Sequence, residues 1–223
     1  GKLIVHIQDL VALNPGTGEE IWRVSAKPHW GTPVATTIGG ESVVLSTDGQ
    51  IVRTRDGLLI SKSLPPLEYN APVVHDGIAY IFNKNHAHAF RLPTEAVEGA
   101  KAEKLWETQL QSKVRYYPSP LYHEGIVYCC HQKGTFYALD AVTGEKIYQE
   151  RPNFGKGTIY PSPTLAGGYI FLSSDNGKTF VIEPGREFKI VAENRFDPFR
   201  SSPVFRGTRM YLRTLSRMCC IAK

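Results

Sequence analysis

The chain has 223 residues, of which 42% are hydrophobic and 21% charged, a composition that suits a folded protein with a sizeable core. No run of about 18 apolar residues occurs, so the sequence predicts no transmembrane segment. The net charge of +5 favours anionic partners, but no block of about five basic residues is present, and we predict no nucleic-acid binding.

Five segments repeat one pattern along the chain: an aromatic residue, two small or polar residues, a proline and an apolar strand. The repeated prolines are Pro33, Pro72, Pro120, Pro163 and Pro203. Only the last segment replaces the aromatic residue, which is Arg200 there. Because the prolines recur every ~40 to 48 residues, the pattern predicts the four-stranded blades of a β-propeller.

Short strands separated by Gly, Asp and Asn turns follow each proline, which leaves no room for crossover helices and predicts an all-β fold. We predict a single propeller domain, residues 1–223, made of four-stranded antiparallel blades. Its blades span residues 1–26, 27–64, 65–112, 113–155, 156–196 and 197–223. The first lacks strand one and the last lacks strand four. We therefore expect a fragment, or half of a ring whose further blades lie on another chain segment.

The third and fourth blades show how turns mark the strands. In the fourth blade, residues 126–130, 135–139 and 146–149 are predicted as strands two to four. The third blade is longer because residues 93–104, rich in alanine, glutamate and lysine, lie between its last two strands. That composition predicts a surface insertion that forms a helical turn.

Two turns carry a more specific signature. Residues 12–22 and 138–148 are similar to the tryptophan-docking motif A-x-D-x-x-T-G-x-x-x-W of the pyrroloquinoline-quinone-type, or quinoprotein-like, propeller repeat. In this motif the acidic residue and threonine close the turn, the glycine takes a positive φ, and the aromatic residue packs on the neighbouring blade. Asn14 replaces the aspartate in the first copy, and Tyr148 replaces the tryptophan in the second.

The resemblance implies a secreted bacterial propeller, periplasmic or extracellular, whose complete ring has about eight blades. The outer-membrane β-barrel assembly lipoprotein shares this repeat and binds partner proteins through its propeller loops. By that analogy we expect an exported, non-catalytic scaffold for a protein or another ligand. The alternatives are a glycan-binding module and a pyrroloquinoline-quinone-dependent dehydrogenase, which the same family contains.

Quinone chemistry would need a carboxylate base, calcium ligands and a tryptophan beneath the cofactor. The candidate carboxylates are scattered and lie mostly in turns: they are Asp9, Asp48, Glu68, Asp175 and Asp197. In this family adjacent cysteines can close a disulfide ring over the quinone, and Cys129–Cys130 and Cys219–Cys220 are adjacent pairs. We interpret both pairs as core residues of apolar strands. No catalytic residue and no cofactor are expected; pyrroloquinoline quinone with calcium belongs to the alternative.

A partner would bind on the face where the loops before the first strands meet the turns between the second and third strands. The residues predicted for this loop face are Trp30, Tyr69, Lys84, His86, Arg115, Tyr117, His131, Lys133, Lys156, Tyr160, Arg200 and Arg213. Such a surface suits an acidic peptide, another anionic ligand or a glycan stacked on the rings. The aromatic members occupy equivalent positions, so we favour contacts between blades for them. The basic members do not repeat and are the stronger binding candidates.

Three histidines raise a separate hypothesis. His86 and His88 lie on one face of a predicted strand, and His131 occupies the equivalent turn of the next blade. Two ligands from one strand and one from a neighbour could hold zinc or copper. We favour the simpler interpretation, polar residues at strand ends, and predict no metal site.

Overall fold

The computed structural model describes residues 1–222. These residues form strands and turns only, so they contain no helix that could cross a membrane. The strands in chain order are β1 (Leu3–His6), β2 (Leu10–Leu13), β3 (Glu20–Val24), β4 (Val34–Ile38), β5 (Glu41–Leu45), β6 (Ile51–Arg53), β7 (Leu59–Ser61), β8 (Val73–His75), β9 (Ile78–Asn83), β10 (His86–Arg91), β11 (Glu103–Gln109), β12 (Leu121–His123), β13 (Ile126–Cys130), β14 (Phe136–Asp140), β15 (Lys146–Glu150), β16 (Thr164–Ala166), β17 (Tyr169–Ser173), β18 (Lys178–Glu183), β19 (Lys189–Arg195), β20 (Val204–Arg206), β21 (Arg209–Arg213) and β22 (Met218–Ala222).

The strands form six antiparallel sheets, numbered here as blades 1 to 6, and each sheet follows the order of the sequence. Blades 2 to 5 have four strands each: β4–β7, β8–β11, β12–β15 and β16–β19. Blades 1 and 6 have three, β1–β3 and β20–β22. Sequential antiparallel meanders of this kind are the units of propellers. The predictions of an all-β fold, and of four complete and two partial blades, are confirmed.

Two compact units divide the chain, Gly1–Leu110 with blades 1 to 3 and Gln111–Lys223 with blades 4 to 6. Within each unit, the middle strands are the most buried. All five residues of β13 are buried, whereas all seven residues of the outer strand β19 are exposed. Strands covered on both faces favour apolar residues at successive positions, which explains why β13 lacks polar alternation.

Apolar side chains from neighbouring blades meet in shared clusters. In the second unit, Tyr128 and Phe136 of blade 4 pack in one cluster with Leu172 and Phe180 of blade 5. In the first unit, Leu45 of blade 2 shares a cluster with Ile81 of blade 3. Adjacent blades therefore stabilise one another by burying apolar area that a lone blade would expose.

The docking motif makes the predicted contact. The indole of Trp22 at the outer strand of blade 1 is buried, and its Nε1 donates to the Thr54 carbonyl of blade 2 at 2.9 Å. Gly57, at φ +77°, lies beneath the indole, where a Cβ would approach the ring to 2.9 Å. In the second copy, Tyr148 packs against Phe188 of blade 5 with ring centroids 5.6 Å apart.

The turns that lead into these aromatic residues close as the motif predicts. Asp140 Oδ1 accepts the N–H groups of Val142 and Thr143 at 3.1 and 3.2 Å, and Gly144 has φ +76°. Asn14 Oδ1 accepts the Gly16 N–H at 2.9 Å in the first copy. An amide oxygen thus replaces the carboxylate without loss of the turn.

The insertion of blade 3 differs from the prediction. Residues 93–102 form turns and bends rather than a helical turn. The segment also packs against blade 2: the Gly99 N–H donates to the Ile60 carbonyl at 2.8 Å, and Ala96 is buried in the cluster shared with that blade. Burial of Ala96 fixes the segment in an irregular conformation that helix propensity alone does not predict.

Candidate functional site

The loop face of the second unit is held together by backbone hydrogen bonds. We call the segment before the first strand of a blade its leading loop, and the turn between its second and third strands its inner turn. In blade 4, the inner-turn residue Gln132 donates its N–H to the Arg115 carbonyl at 2.9 Å, and its carbonyl accepts the Ile159 N–H at 3.0 Å. One residue therefore joins the leading loops of blades 4 and 5.

Blade 5 repeats this arrangement. The Asp175 N–H donates to the Thr158 carbonyl at 2.9 Å, and the Asp175 carbonyl accepts the Phe199 N–H at 3.1 Å. The Asp175 carboxylate also accepts the Thr158 N–H at 2.8 Å. Asp175 was a candidate carboxylate from the sequence, and it here fastens the leading loops of blades 5 and 6.

Asp48 has a similar structural role in the first unit. Its side chain is 5% exposed, accepts the Lys27 N–H at 3.1 Å and pairs with the Lys62 Nζ at 2.7 Å. Burial alone would raise the pKa of Asp48, but these hydrogen bonds outweigh it and hold the pKa below its ordinary value. An ionised, fully engaged carboxylate is a poor general base.

Four of the predicted residues come together in the second unit. The Tyr117 and Tyr160 rings are stacked, with centroids 4.9 Å apart and an interplanar angle of 4°. The Arg200 guanidinium lies 4.6 Å from the Tyr160 centroid, and Arg115 Nη1 donates to the Tyr117 hydroxyl at 3.2 Å. We call these four residues the tyrosine column. Its repeated positions join blades 4, 5 and 6, which confirms the predicted blade contacts for these two tyrosines.

The aromatic positions of the first unit do not follow this pattern uniformly. Trp30 is 85% exposed, although its backbone N–H donates to the Glu68 carbonyl at 2.8 Å. The expectation that Trp30 packs between blades is therefore wrong. Tyr69 is half-buried.

The basic candidates lie in both units, Lys84 in the first and the others in the second. Lys84, Lys133, Lys156 and Arg213 are all exposed. Lys133 lines a pocket of about 260 Å³ together with Arg151, which follows β15 and was absent from the predicted set. The only signal for Arg151 in the sequence is that it follows the fourth strand of blade 4 and precedes the leading loop of blade 5.

The His131 side chain is fully buried, so it cannot contact a partner on the loop face as predicted. Its Nε2 lies 2.9 Å from Gln111 Oε1, and its Nδ1 accepts the Lys133 N–H at 3.1 Å, so the neutral ring donates from Nε2. Burial, followed by the charges of Arg151 and Lys133, lowers the pKa of His131 to about 4. The ring is a neutral support beneath the inner turn.

His86 and His88 share Glu107 as a neighbour. His86 Nε2 lies 3.8 Å and His88 Nδ1 lies 3.4 Å from its carboxylate, and His88 Nε2 is 3.0 Å from Asn83 Oδ1. Burial lowers the pKa of His88 more than Glu107 raises it. Across residues 1–222, no three His, Cys, Asp or Glu side chains are grouped so that they could hold a metal ion.

The two cysteine pairs have different environments. Cys129 and Cys130 are buried, as predicted for core residues, and burial raises the pKa of both thiols. Cys220 is exposed and Cys219 is half-buried, so the core interpretation is wrong for that pair. Both belong to β22, the edge strand of blade 6 in the described sheet, where no further strand covers them.

Two of the carboxylates considered for quinone chemistry already have partners in the protein. Asp48 and Asp175 are occupied by backbone and lysine contacts, and the described residues offer no group of three metal-binding side chains. Cys129 and Cys130 lie inside a strand covered on both faces. No reaction step is therefore assigned to pyrroloquinoline quinone.

The sequence profile described as outer membrane protein assembly factor BamB matches residues 7–90 and 94–187, more than half of the chain. The chain belongs to the BamB family. BamB from Moraxella catarrhalis superimposes with a TM-score of 0.67 at 14% identity, over 99% of this chain and 72% of that one. This similarity confirms the propeller fold and the quinoprotein-like repeat.

A europium-containing methanol dehydrogenase also matches, with a TM-score of 0.46 at 17% identity, over 56% of this chain and 24% of that enzyme. No curated protein matches the sequence.

Proposed function

We propose that this BamB-family chain is an exported, non-catalytic scaffold that binds a protein partner through the loop face of its second unit. Membership of a family described as an outer membrane assembly factor supports a protein partner and a periplasmic location. The sheets place residues of three blades side by side on this face, as a binding surface requires.

The tyrosine column is the observation that carries the proposal. Tyrosine and arginine are among the residues that most often dominate binding energy at protein interfaces. Tyrosine presents a large surface with only two torsions to immobilise, whereas an arginine loses less entropy on binding when other contacts already hold its side chain. Here the contacts among Tyr117, Tyr160 and Arg200 already restrict those torsions. A surface arranged before binding loses less entropy when the partner arrives.

The charge of the face favours an acidic partner. Arg115 and Arg200 are exposed at the two ends of the column, and Lys156 is exposed in the leading loop between them. Opposite charges on the partner would speed association and fix its orientation. The Tyr160 ring is already in contact with Tyr117 and Arg200, which leaves it less available for a stacked sugar.

Site-specific photo-crosslinking in the source cell tests this proposal. A crosslinkable residue replaces Tyr117 in one variant and Tyr169, a 42% exposed tyrosine of β17 in the same unit, in the control. We expect one protein adduct from position 117, identified by mass spectrometry, and none from position 169.

A second variant that carries Arg200→Glu should lose the adduct because the added carboxylate repels an acidic partner. Unchanged circular dichroism would show that the blades remain folded. Equal adducts from both positions would contradict binding through the tyrosine column, and an adduct insensitive to Arg200→Glu would contradict an acidic partner.

A further inference from the structure

A small basic pocket lies at the junction of blades 4 and 5. Its volume is about 260 Å³, and its walls come from the inner turn of blade 4, the end of β15 and the leading loop of blade 5. The charged lining residues are Lys133 and Arg151, and Asn153 adds an amide. No acidic side chain lines it.

The cations of this pocket have no counter-ion among residues 1–222. In the described part of the chain, no carboxylate lies within ion-pair distance of Lys133, Arg151 or the neighbouring Lys156. Other exposed arginines of the same unit do form such pairs, as Arg186 does with Asp140 at 3.0 Å. The field of Arg151 and Lys133 reaches the buried His131 ring, whose pKa both charges lower.

The floor of the pocket is fixed by Phe154. Its ring is buried, lies 4.9 Å from the Phe180 ring and touches Gly134, where a Cβ would come within 3.1 Å. The Phe154 carbonyl accepts Asn176 Nδ2 at 2.9 Å. The Phe154 ring and the Phe154 carbonyl thus both hold the loop that carries Asn153 against the core. The pocket therefore exists before any ligand binds.

We propose that this pocket binds a phosphate group, held by the Arg151 guanidinium, the Lys133 ammonium and the Asn153 amide. Lys133 and Arg151 are two uncompensated cations, and a phosphate group presents several oxygens that can accept hydrogen bonds from both. Guanidinium also pairs with phosphate oxygens through two parallel hydrogen bonds. The volume leaves room for the group and several waters, since each water occupies ~30 Å³. The phosphate could be free or part of a lipid headgroup.

Amide NMR with inorganic phosphate is the direct test. The phosphate replaces potassium chloride in the buffer so that the ionic strength stays constant. We expect saturable shifts for the amides of residues 133 and 153–157. The pKa of His131 should rise at the same time, because phosphate neutralises the two charges that lower it. Arg151→Gln and Lys133→Gln should each weaken binding by about tenfold, the loss typical of a charge-assisted hydrogen bond.

Arg206→Gln is the matched control, because Arg206 is an exposed arginine of β20 in the same unit and lies outside this pocket. Its affinity for phosphate should equal that of the unmodified protein. Absence of saturation, or equal weakening by Arg206→Gln and Arg151→Gln, would overturn the proposal.

Sedimentation with vesicles distinguishes the two sources of the phosphate group. Binding to phosphatidylglycerol vesicles but not to phosphatidylcholine vesicles, lost with Arg151→Gln, would assign a lipid headgroup. Phosphate binding in solution without vesicle binding would assign a free phosphate. Both results support the pocket, and neither depends on the protein partner proposed above.

Discussion

Acidification should destabilise the second unit through His131. The folded protein holds this ring neutral, with a pKa of about 4, whereas the unfolded chain binds a proton near the ordinary value of 6.5. The unfolded state therefore binds more protons between these two values. The contribution of His131 to stability is complete above pH 6.5 and declines as the pH falls towards 4.

The size of the effect follows from the difference between the two pKa values. It corresponds to about 3 kcal/mol of unfolding free energy over the whole interval, of which about 2 kcal/mol is lost by pH 5. The ring is fully buried, so solvent does not screen this penalty strongly. A loss of about 2 kcal/mol is a substantial part of the stability of a typical domain.

Urea unfolding of the protein and of His131→Gln, at about pH 7 and about pH 5, measures the effect. Glutamine can donate to Gln111 and accept the Lys133 N–H, but it does not titrate. The variant should therefore lose about 2 kcal/mol less on acidification. His6 and His88, whose pKa values are also lowered by burial, contribute equally to both proteins. Equal losses in the two proteins, or an NMR pKa of His131 near 6.5, would refute the reasoning.

Two further predictions concern the docking contact and the thiols. Gly77→Ala is the control for backbone strain: it has φ +72° and open space around it, and it should cost about 1 kcal/mol of unfolding free energy. Gly57→Ala should cost about 1 to 3 kcal/mol more than this control, because its Cβ would displace the Trp22 indole. Urea unfolding measures both costs, and equal costs would mean that the Trp22 indole moves aside without loss of stability. Cys220 should react with a maleimide in the native protein, and the Cys129–Cys130 pair only after denaturation, as alkylation and intact mass would show.

Much of the fold was predictable because the signals of a blade are local. Each turn of the docking motif is closed by residues within five positions of one another, as at Asp140 and Gly144. The proline repeat marks where each sheet begins. A repeated irregularity was not predicted: the pairing of the third and fourth strands shifts register at equivalent places in all five described blades that have a fourth strand. The shifts follow Ala12, Ile51, Ala89, Ala138 and Val181. Such bulges depend on strand pairing, which no short sequence pattern specifies.

The site was predicted less well, because exposure depends on neighbouring strands and loops. His131 and Lys133 are two residues apart in one turn, yet one is buried and the other exposed. Trp30 matches the tyrosine positions in sequence but lacks their burial. Arg151 was missed because it follows an outer strand, and only the position of the next leading loop brings it to the face.

The repeated positions of the second unit connect blades, and the positions where the repeat changes carry its chemistry. The Ser119 N–H donates to Ser162 Oγ, and the Ser162 N–H donates to Ser202 Oγ, both at 2.9 Å, so one residue type joins three blades. Arg200 stands where the repeat places an aromatic ring, and it adds a charge to the tyrosine column. A site made only of repeated residues would be the same at every blade junction, so a ligand would bind each junction with the same affinity. A ligand that selects one junction would therefore have to contact residues that do not repeat, such as the cations Arg115, Lys133 and Arg200.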